Sequence, residues 1–298
     1  MKQLIVIGGA TATGKTALAI RLAQHFNTAI LSADSRQFFR EISIGTAKPS
    51  ATELAAATHY FINNRSIAED YSVGDYERDA LNVLDEIYKT KDVAIMAGGS
   101  GLYLLAVCEG LDVFPDISDA TKMQVDLSIQ ANGLPWMQQT LAALDPGYFE
   151  KVDQQNPARL RRALEVCLET GQPYSTFLKN TKVTRSFNVI NILLDLPRPI
   201  LYDRIEKRVD QMIQQGLEAE ARALLPFREK PALKTVGYEE FFAYFDGTIE
   251  FDEAIAKIKQ HSRNYAKRQS TWFRKHGDWM VFQPDNYAGI LRYFESKK

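Results

Sequence analysis

The segment Gly9–Thr16 combines glycines, hydroxyls and one lysine at a spacing that suits phosphate binding. It reads Gly-Ala-Thr-Ala-Thr-Gly-Lys-Thr and matches the pattern GxxxxGK[ST]. In such a loop, backbone N–H groups surround an anion, the following helix N-terminus adds partial positive charge, and the lysine supplies a mobile cation. The threonine hydroxyl after the lysine suits Mg²⁺. We therefore expect a diphosphate or triphosphate site formed by Gly9, Ala10, Thr11, Ala12, Thr13, Gly14, Lys15 and Thr16, with Mg²⁺ at Thr16.

A carboxylate follows the next apolar run of the chain. Asp34 comes shortly after Ala29-Ile30-Leu31, which reads as a short strand. Ligands of open α/β sheets bind at the carboxyl ends of the strands, where a carboxylate could take a proton or orient a nucleophile. The alternative is that Asp34 caps the following helix.

The elements around these residues predict a parallel sheet. Residues 4–7 form an apolar run that ends at glycines, residues 16–26 place apolar side chains at helical spacing, and residues 29–31 form a second strand. A helix over 75–90 and strands over 93–96, 189–194 and 279–282 follow. Strand, helix and strand in alternation indicate βαβ units. The strand before the glycine loop and the helix after it argue against an incidental glycine-rich turn.

The character of the chain changes near residue 113. Residues 113–183 show helical periodicity without a convincing strand, punctuated by prolines. We expect an α/β fold with a P-loop NTPase-like parallel sheet core, residues 1–112 and 184–298, and an inserted helical lobe, residues 113–183.

Composition sets outer limits on function. The 298 residues are 45% apolar, and 36 basic residues nearly balance 37 acidic ones, which excludes a disordered chain and a polybasic protein. The cysteines Cys108 and Cys167 form no CxxC pair. The apolar run Leu102–Cys108 is too short to span a membrane. We expect a soluble cytoplasmic protein without a membrane segment.

A basic stretch near the C-terminus indicates a polyanionic partner. Residues 257–276 carry seven lysines and arginines without an acidic residue, interleaved with Tyr265, Trp272 and Phe273. Cations bind phosphates and aromatic rings stack on bases. The alternative is a basic amphipathic helix that buries Trp272 and Phe273.

Short blocks of sequence occur along the chain in a characteristic order. Besides the glycine loop they are Asp34-Ser-Arg-Gln37, Ile44-Gly-Thr-Ala-Lys-Pro49, Gly98-Gly-Ser-Gly-Leu-Tyr103, Asn156-Pro-Ala-Arg-Leu-Arg-Arg162, Val236-Gly-Tyr238 and Tyr265-Ala-Lys-Arg-Gln269. In their order and spacing these blocks resemble the tRNA dimethylallyltransferase (isopentenyltransferase) family of the bacterial type. The departures are Ala10, Phe39 and Ser100, where the family usually has Pro, Tyr and Thr.

The resemblance implies a prenyl transfer to RNA. Members of the family move a dimethylallyl group from its diphosphate to N6 of the adenosine immediately 3′ of the anticodon, so the glycine loop would hold the leaving diphosphate. It also implies that Asp34 is the general base, that Ser100 contacts the reacting region and that Arg204 reaches the diphosphate. For Arg204, a solvated helix face is the alternative.

The resemblance further implies the anticodon stem-loop of tRNA and dimethylallyl diphosphate as partners of a monomeric enzyme. The implied tRNA-contacting residues are Asp34, Ser35, Arg36, Gln37, Ser100, Lys122, Ala158, Arg159, Leu160, Arg161 and Arg162.

Three other functions stay open on the sequence. An adenylate isopentenyltransferase would prenylate free nucleotides, although the arginine cluster at 159–162 favours RNA. A P-loop nucleotide kinase would normally end a later strand in a metal-binding acid, whereas the strand at 93–96 leads into Ala97-Gly98-Gly99-Ser100. A non-catalytic RNA-binding protein with a nucleotide switch is the third.

Overall fold

The computed structural model describes residues 1–179 and 181–297. The chain divides into two compact units. One comprises Met1–Glu109 and Thr184–Lys298, and the other comprises Gly110–Val183.

The first unit is built on a sheet in which neighbouring strands run parallel. In the described residues the strands are β1 (Gln3–Gly9), β2 (Ile30–Ser32), β3 (His59–Tyr60), β4 (Val93–Ala97), β5 (Asn188–Leu194) and β6 (Met280–Phe282). Their spatial order is β3-β2-β4-β1-β5-β6.

Helices make up most of the remaining structure. In chain order the helices are α1 (Lys15–Phe26), α2 (Ala51–Ala56), α3 (Val73–Tyr88), α4 (Gly101–Glu109), α5 (Asp119–Leu144), α6 (Pro146–Phe149), α7 (Pro157–Thr170), α8 (Arg198–Gln214), α9 (Leu217–Leu224), α10 (Tyr238–Phe245), α11 (Phe251–Lys275) and α12 (Tyr287–Glu295). Helices α5 to α7 belong to the second unit.

Both faces of the sheet are covered, as expected for parallel strands. Successive side chains of β1 point to opposite faces, so Leu4 and Val6 join one apolar cluster while Ile5 and Ile7 join another. All seven residues of β1 are buried. The continuous apolar run at the start of the sequence follows from this burial on both sides.

The strand order brings three loops together at the carboxyl ends of neighbouring strands. Strands β2, β4 and β1 are neighbours, and the segments that follow them contain Asp34, Gly98–Ser100 and the glycine loop. The approach is close, because a Cβ added at Gly98 would lie 2.0 Å from the carbonyl oxygen of Ala33. The Ser100 N–H donates to that same oxygen at 3.3 Å. The predicted α/β core with a parallel sheet is confirmed.

The second unit has its own core. Leu141 of α5 and Leu160 and Leu164 of α7 are fully buried in one cluster. Helix α5 is interrupted at Gly133, which has a φ of 64°. Within its described residues this unit contains helices and no strand.

None of the helices in the described part of the chain combines the length and the hydropathy needed to cross a membrane.

Candidate active site

A cavity of about 560 Å³ opens in the first unit, at the carboxyl ends of strands β1, β2 and β4. Its walls come from the glycine loop, the segments after β2 and β4, and helices α8 and α11. The cavity brings together three of the residues predicted to do chemistry: Lys15, Thr16 and Asp34 all line it.

The Lys15 side chain lies along its own loop. Its ammonium donates to the carbonyl oxygen of Ala10 at 2.8 Å, and the Thr13 hydroxyl donates to the same oxygen at 2.8 Å. Burial, and next the Arg208 cation, lower the pKa of Lys15 to about 8, while Asp34 opposes the shift. The cavity therefore holds a cation that is poorly solvated at neutral pH and would be stabilised by an anion.

Gln269 on α11 connects the two glycine segments. Its Oε1 accepts from the Thr11 N–H at 2.8 Å, and its Nε2 donates to the Gly99 carbonyl oxygen at 2.9 Å. The side chain is buried, and these two hydrogen bonds satisfy both the oxygen and the nitrogen of its amide. Our sequence reasoning missed this residue as a site residue, although it ends one of the matching blocks.

The arginine that reaches the cavity is Arg208. It lines the cavity on α8, where burial lowers its pKa against the opposing effect of Asp34. Arg204, four residues earlier on α8, is exposed and is absent from the cavity lining. The structure therefore does not bring Arg204 to the other predicted residues. In sequence the two arginines look alike, because both follow the same helical spacing.

Asp34 starts a turn instead of a helix. Its Oδ1 accepts from the Arg36 N–H at 3.0 Å, and residues 35–38 form turns. The helix-capping alternative is wrong, since the next helix begins at Ala51. The Ser100 hydroxyl accepts from the Ser35 N–H at 3.0 Å, which ties this turn to the segment after β4.

Gln37 is held in the cavity wall by both ends of its amide. Its Nε2 donates to the carbonyl oxygens of Thr46 and Ala47 at 3.3 and 3.4 Å, and its Oε1 accepts from the Ser32 hydroxyl at 3.1 Å. Arg36 also lines the cavity.

Apolar and aromatic groups complete the cavity lining. The apolar side chains that line it are Val209 and Met212 of α8, Val236 before α10, and Ile258 of α11, together with Tyr265 of α11. The Arg268 guanidinium lies 5.7 Å from the centre of the Tyr265 ring. The cavity can thus receive a ligand with a charged and an apolar part.

Comparison with known proteins identifies the family. A family model described as IPP transferase matches residues 37–276. The tRNA dimethylallyltransferase of Christiangramia forsetii is 51% identical over 296 residues, which cover 99% of this chain and 98% of that protein. The tRNA dimethylallyltransferase of Flavobacterium psychrophilum is 47% identical, with 100% of this chain and 99% of that protein covered.

The chain belongs to the IPP transferase family.

Solved structures agree with this membership. The full-length tRNA isopentenylpyrophosphate transferase of Bacillus halodurans is 31% identical, with a TM-score of 0.73 and coverage of 100% of this chain and 98% of that chain. A eukaryotic dimethylallyltransferase crystallised acting on tRNA has a TM-score of 0.82 at 24% identity, which shows a shared fold. The family resemblance expected from the sequence blocks is confirmed.

The residues that the IPP transferase resemblance implied in the second unit differ in accessibility. Ala158, Arg159 and Arg162 are exposed, whereas Leu160 is fully buried. Arg162 lies over the Phe114 ring at 5.4 Å.

Two further cations of that set are already paired. Arg161 contacts Asp126 and Glu165, each at 2.8 Å, and Lys122 contacts Asp119 at 3.1 Å. The side chains best exposed to a large anion in α7 are therefore those of Arg159 and Arg162.

The basic stretch on α11 is partly neutralised, so the expectation of seven cations without counter-charge is wrong. The acidic partners come from elsewhere in the fold and from the preceding turn of α11. The pairs are Lys257–Glu253 at 2.9 Å, Lys259–Asp210 at 2.6 Å and Arg263–Glu206 at 2.6 Å. Lys267, Arg268, Arg274 and Lys275 are exposed. Phe273 is buried and Trp272 packs against the same cluster, as predicted.

The cavity fits a Mg²⁺ ion that arrives with a phosphate ligand. Within residues 1–179 and 181–297 no group of three or more His, Cys, Asp or Glu side chains could hold a metal by itself. Mg²⁺ commonly binds through one or two protein groups, substrate phosphates and water. The Thr16 hydroxyl, which lies in the cavity lining, is the protein group that would hold such an ion.

Proposed function

We propose that this enzyme transfers the dimethylallyl group of dimethylallyl diphosphate to N6 of the adenosine immediately 3′ of the anticodon in tRNA, releasing diphosphate. The observation that carries the proposal is that one cavity joins a phosphate-binding loop to the carboxylate of Asp34. The tRNA dimethylallyltransferases that match nearly the whole chain support the choice of substrates.

The loop, Lys15 and Arg208 bind the diphosphate. Breaking the allylic C–O bond leaves negative charge on the diphosphate oxygen, and preorganised cations and N–H groups stabilise that charge. Gln269 holds the Thr11 N–H in the loop. We assign this role to Arg208 in preference to Arg204, because Arg208 is the one that lines the cavity. Mg²⁺ held by Thr16 and the phosphate oxygens would supply further Lewis-acid stabilisation.

Asp34 accepts the proton of the nucleophile. The adenine amino group is a weak nucleophile because its lone pair is delocalised into the ring. As N6 forms its bond to the allylic carbon, the bond from that carbon to the diphosphate breaks and one N6 proton passes to the Asp34 carboxylate. The turn from 35 to 38 and the Ser100 hydroxyl orient this segment.

The apolar residues of the cavity suit the five-carbon prenyl group. Val209, Met212 and Val236 line the cavity and offer apolar contacts to that group.

The target base must leave the anticodon loop to reach the cavity. The exposed cations Arg159, Arg162, Lys267, Arg268 and Arg274 supply phosphate contacts for the surrounding RNA. A tRNA substrate is in keeping with the expected cytoplasmic location, and the monomeric state stays a prediction.

The deciding experiment tests the purified protein with two prenyl acceptors, an anticodon stem-loop and AMP, and with ATP as a phosphoryl donor. We expect dimethylallyl diphosphate and an unmodified anticodon stem-loop to yield isopentenyladenosine, read by nucleoside mass spectrometry. Preference for AMP would establish the adenylate transferase, and phosphoryl transfer from ATP would establish the kinase.

The role of Asp34 is tested by Asp34→Asn. We expect the turnover number to fall about 100-fold or more, the range of general base catalysis, with an unchanged dissociation constant for the donor. Asp203→Asn is the matched control, because Asp203 is exposed on α8 and pairs with Lys207. Equal losses in turnover and donor binding would contradict the base role.

A further inference from the structure

Glu220 of α9 lies at the centre of a dense hydrogen-bond cluster that is outside the chemistry described so far. Its Oε2 accepts from the N–H groups of Ser43 and Ile44 at 3.0 and 2.9 Å. Its Oε1 accepts from the Gly45 N–H at 3.0 Å and from the Tyr238 hydroxyl at 2.6 Å. One carboxylate therefore satisfies three consecutive backbone donors and a phenol.

The same cluster explains two sequence blocks to which no function was assigned. Gly45 belongs to the block 44–49 and Tyr238 to the block 236–238. A Cβ added at Gly45 would lie 2.6 Å from the Tyr238 hydroxyl oxygen and ring, so the glycine is needed for this approach. Tyr238 is fully buried, so its hydroxyl requires the partner that Glu220 provides.

The 43–47 turn leads directly into the cavity. Thr46 and Ala47 line the cavity, and their carbonyl oxygens accept both bonds from the Gln37 amide. The turn is held again at its far end, where the Lys48 ammonium donates to Asn63 Oδ1 at 2.6 Å. Gln37 lies three residues after Asp34 in the same segment.

We propose that Glu220 is a positioning residue for the transfer reaction: together with Tyr238 it fixes the 43–47 turn, whose carbonyl groups hold Gln37, and through it the Asp34 segment, in the cavity wall. Glu220 itself does not line the cavity, so it acts through the turn. The proposal rests on the proposed function, because the segment it positions contains the proposed base.

The first test measures the turn directly. In Glu220→Gln the amide offers one acceptor oxygen and turns an NH₂ group toward N–H donors. We expect hydrogen exchange at Ser43, Ile44 and Gly45 to become about tenfold faster or more. Glu218→Gln is the matched control, since Glu218 lies on the same helix and pairs with Arg222 at 2.7 Å. Unchanged protection of the three amides in Glu220→Gln would overturn the proposal.

The second test separates positioning from general stability. We expect the single-turnover rate on the anticodon stem-loop to fall about 10- to 100-fold in Glu220→Gln, with the donor dissociation constant within about twofold of wild type. In a Gln37→Ala background the same substitution should cause little further loss. Fully additive losses, or an unchanged rate, would overturn the proposal.

A milder variant keeps the test valid if Glu220→Gln does not fold. Tyr238→Phe retains the ring against Gly45 and removes one donor from the cluster. We expect faster exchange at Gly45 and a smaller loss of rate, and wild-type values for both would refute the inference. If the wild-type enzyme does not modify tRNA, the proposed function is wrong. If the wild-type enzyme is active and Glu220→Gln has the same rate and the same amide exchange as wild type, only the positioning role is wrong.

Discussion

The charge of Lys15 should control donor capture as a function of pH. Burial and the Arg208 cation lower the pKa of Lys15 to about 8. A lysine with a lowered pKa keeps its charge below that value and loses it as the pH rises through it. The ammonium would therefore be present at neutral pH and lost in mild alkali.

The size of the effect follows from this pKa. The ratio of ammonium to amine is about ten to one at pH 7 and about one to ten at pH 9. We expect kcat/KM for dimethylallyl diphosphate, which reports the free enzyme, to fall about tenfold between these pH values. The measurement is initial rates at limiting donor and saturating stem-loop RNA.

A second cavity lysine must be distinguished from Lys15. Burial lowers the pKa of Lys48 to about 8 as well, against the opposing charges of Glu220, Glu41 and Asp34. Arg208 acts on Lys15 and is absent from the charges that act on Lys48. If Lys15 is responsible, Arg208→Gln should raise the pKa of Lys15, and the fall in kcat/KM at alkaline pH (the alkaline limb of the profile) should move to higher pH.

Two results would refute this reasoning. One is a kcat/KM that stays flat from pH 7 to pH 9. The other is an alkaline limb that keeps its midpoint in Arg208→Gln, or that shifts to lower pH in Glu41→Gln, since the latter would assign the limb to Lys48.

Three further substitutions probe the site and the RNA contacts. Gln269→Ala leaves two buried partners without their hydrogen bonds, so we expect a loss of about 2 kcal/mol in urea unfolding and a weaker donor affinity by calorimetry. Gly98→Ala forces a Cβ to within 2.0 Å of a backbone oxygen, and we expect a loss of about 3 kcal/mol or more. The double variant Arg159→Ala with Arg162→Ala should weaken stem-loop binding and reduce its salt dependence by about one unit of slope per arginine.

Two of these variants have a matched control. Gly74→Ala should be tolerated, because the nearest atom to its added Cβ lies 3.7 Å away. Lys257→Ala should leave the salt slope unchanged, because Lys257 pairs with Glu253. Wild-type stability of Gln269→Ala, or an unchanged slope in the arginine variant, would contradict the corresponding prediction.

The sequence predicted the elements in which burial produces a regular pattern of apolar residues. Strand β1 is buried on both faces and reads as an uninterrupted apolar run, and α1 shows a clear helical period. Helix α4 was missed because its sequence is apolar nearly throughout and shows no period. The two-residue strand β3 is too short to carry a pattern.

Local patterns identified the parts of the site that lie beside strands. The glycine loop and Asp34 lie at the carboxyl ends of β1 and β2, so the strand pattern was enough to place them beside each other. Gln269 is more than 250 residues from the loop it contacts, and no local pattern encodes that pairing. The choice of Arg208 over Arg204 depends on how α8 packs, and the neutralisation of α11 depends on acids from α8, such as Asp210.

The bridge made by Gln269 has a consequence for the newly synthesised protein. The loop and the β4 segment that it joins are made before the second unit, whereas the helix that carries Gln269 is made after it. Until that helix docks, the Thr11 N–H and the Gly99 carbonyl lack the partner that holds them. A nascent chain therefore completes its substrate site only after α11 has emerged, and truncation before α11 should abolish donor binding even where strands β1 to β5 have paired.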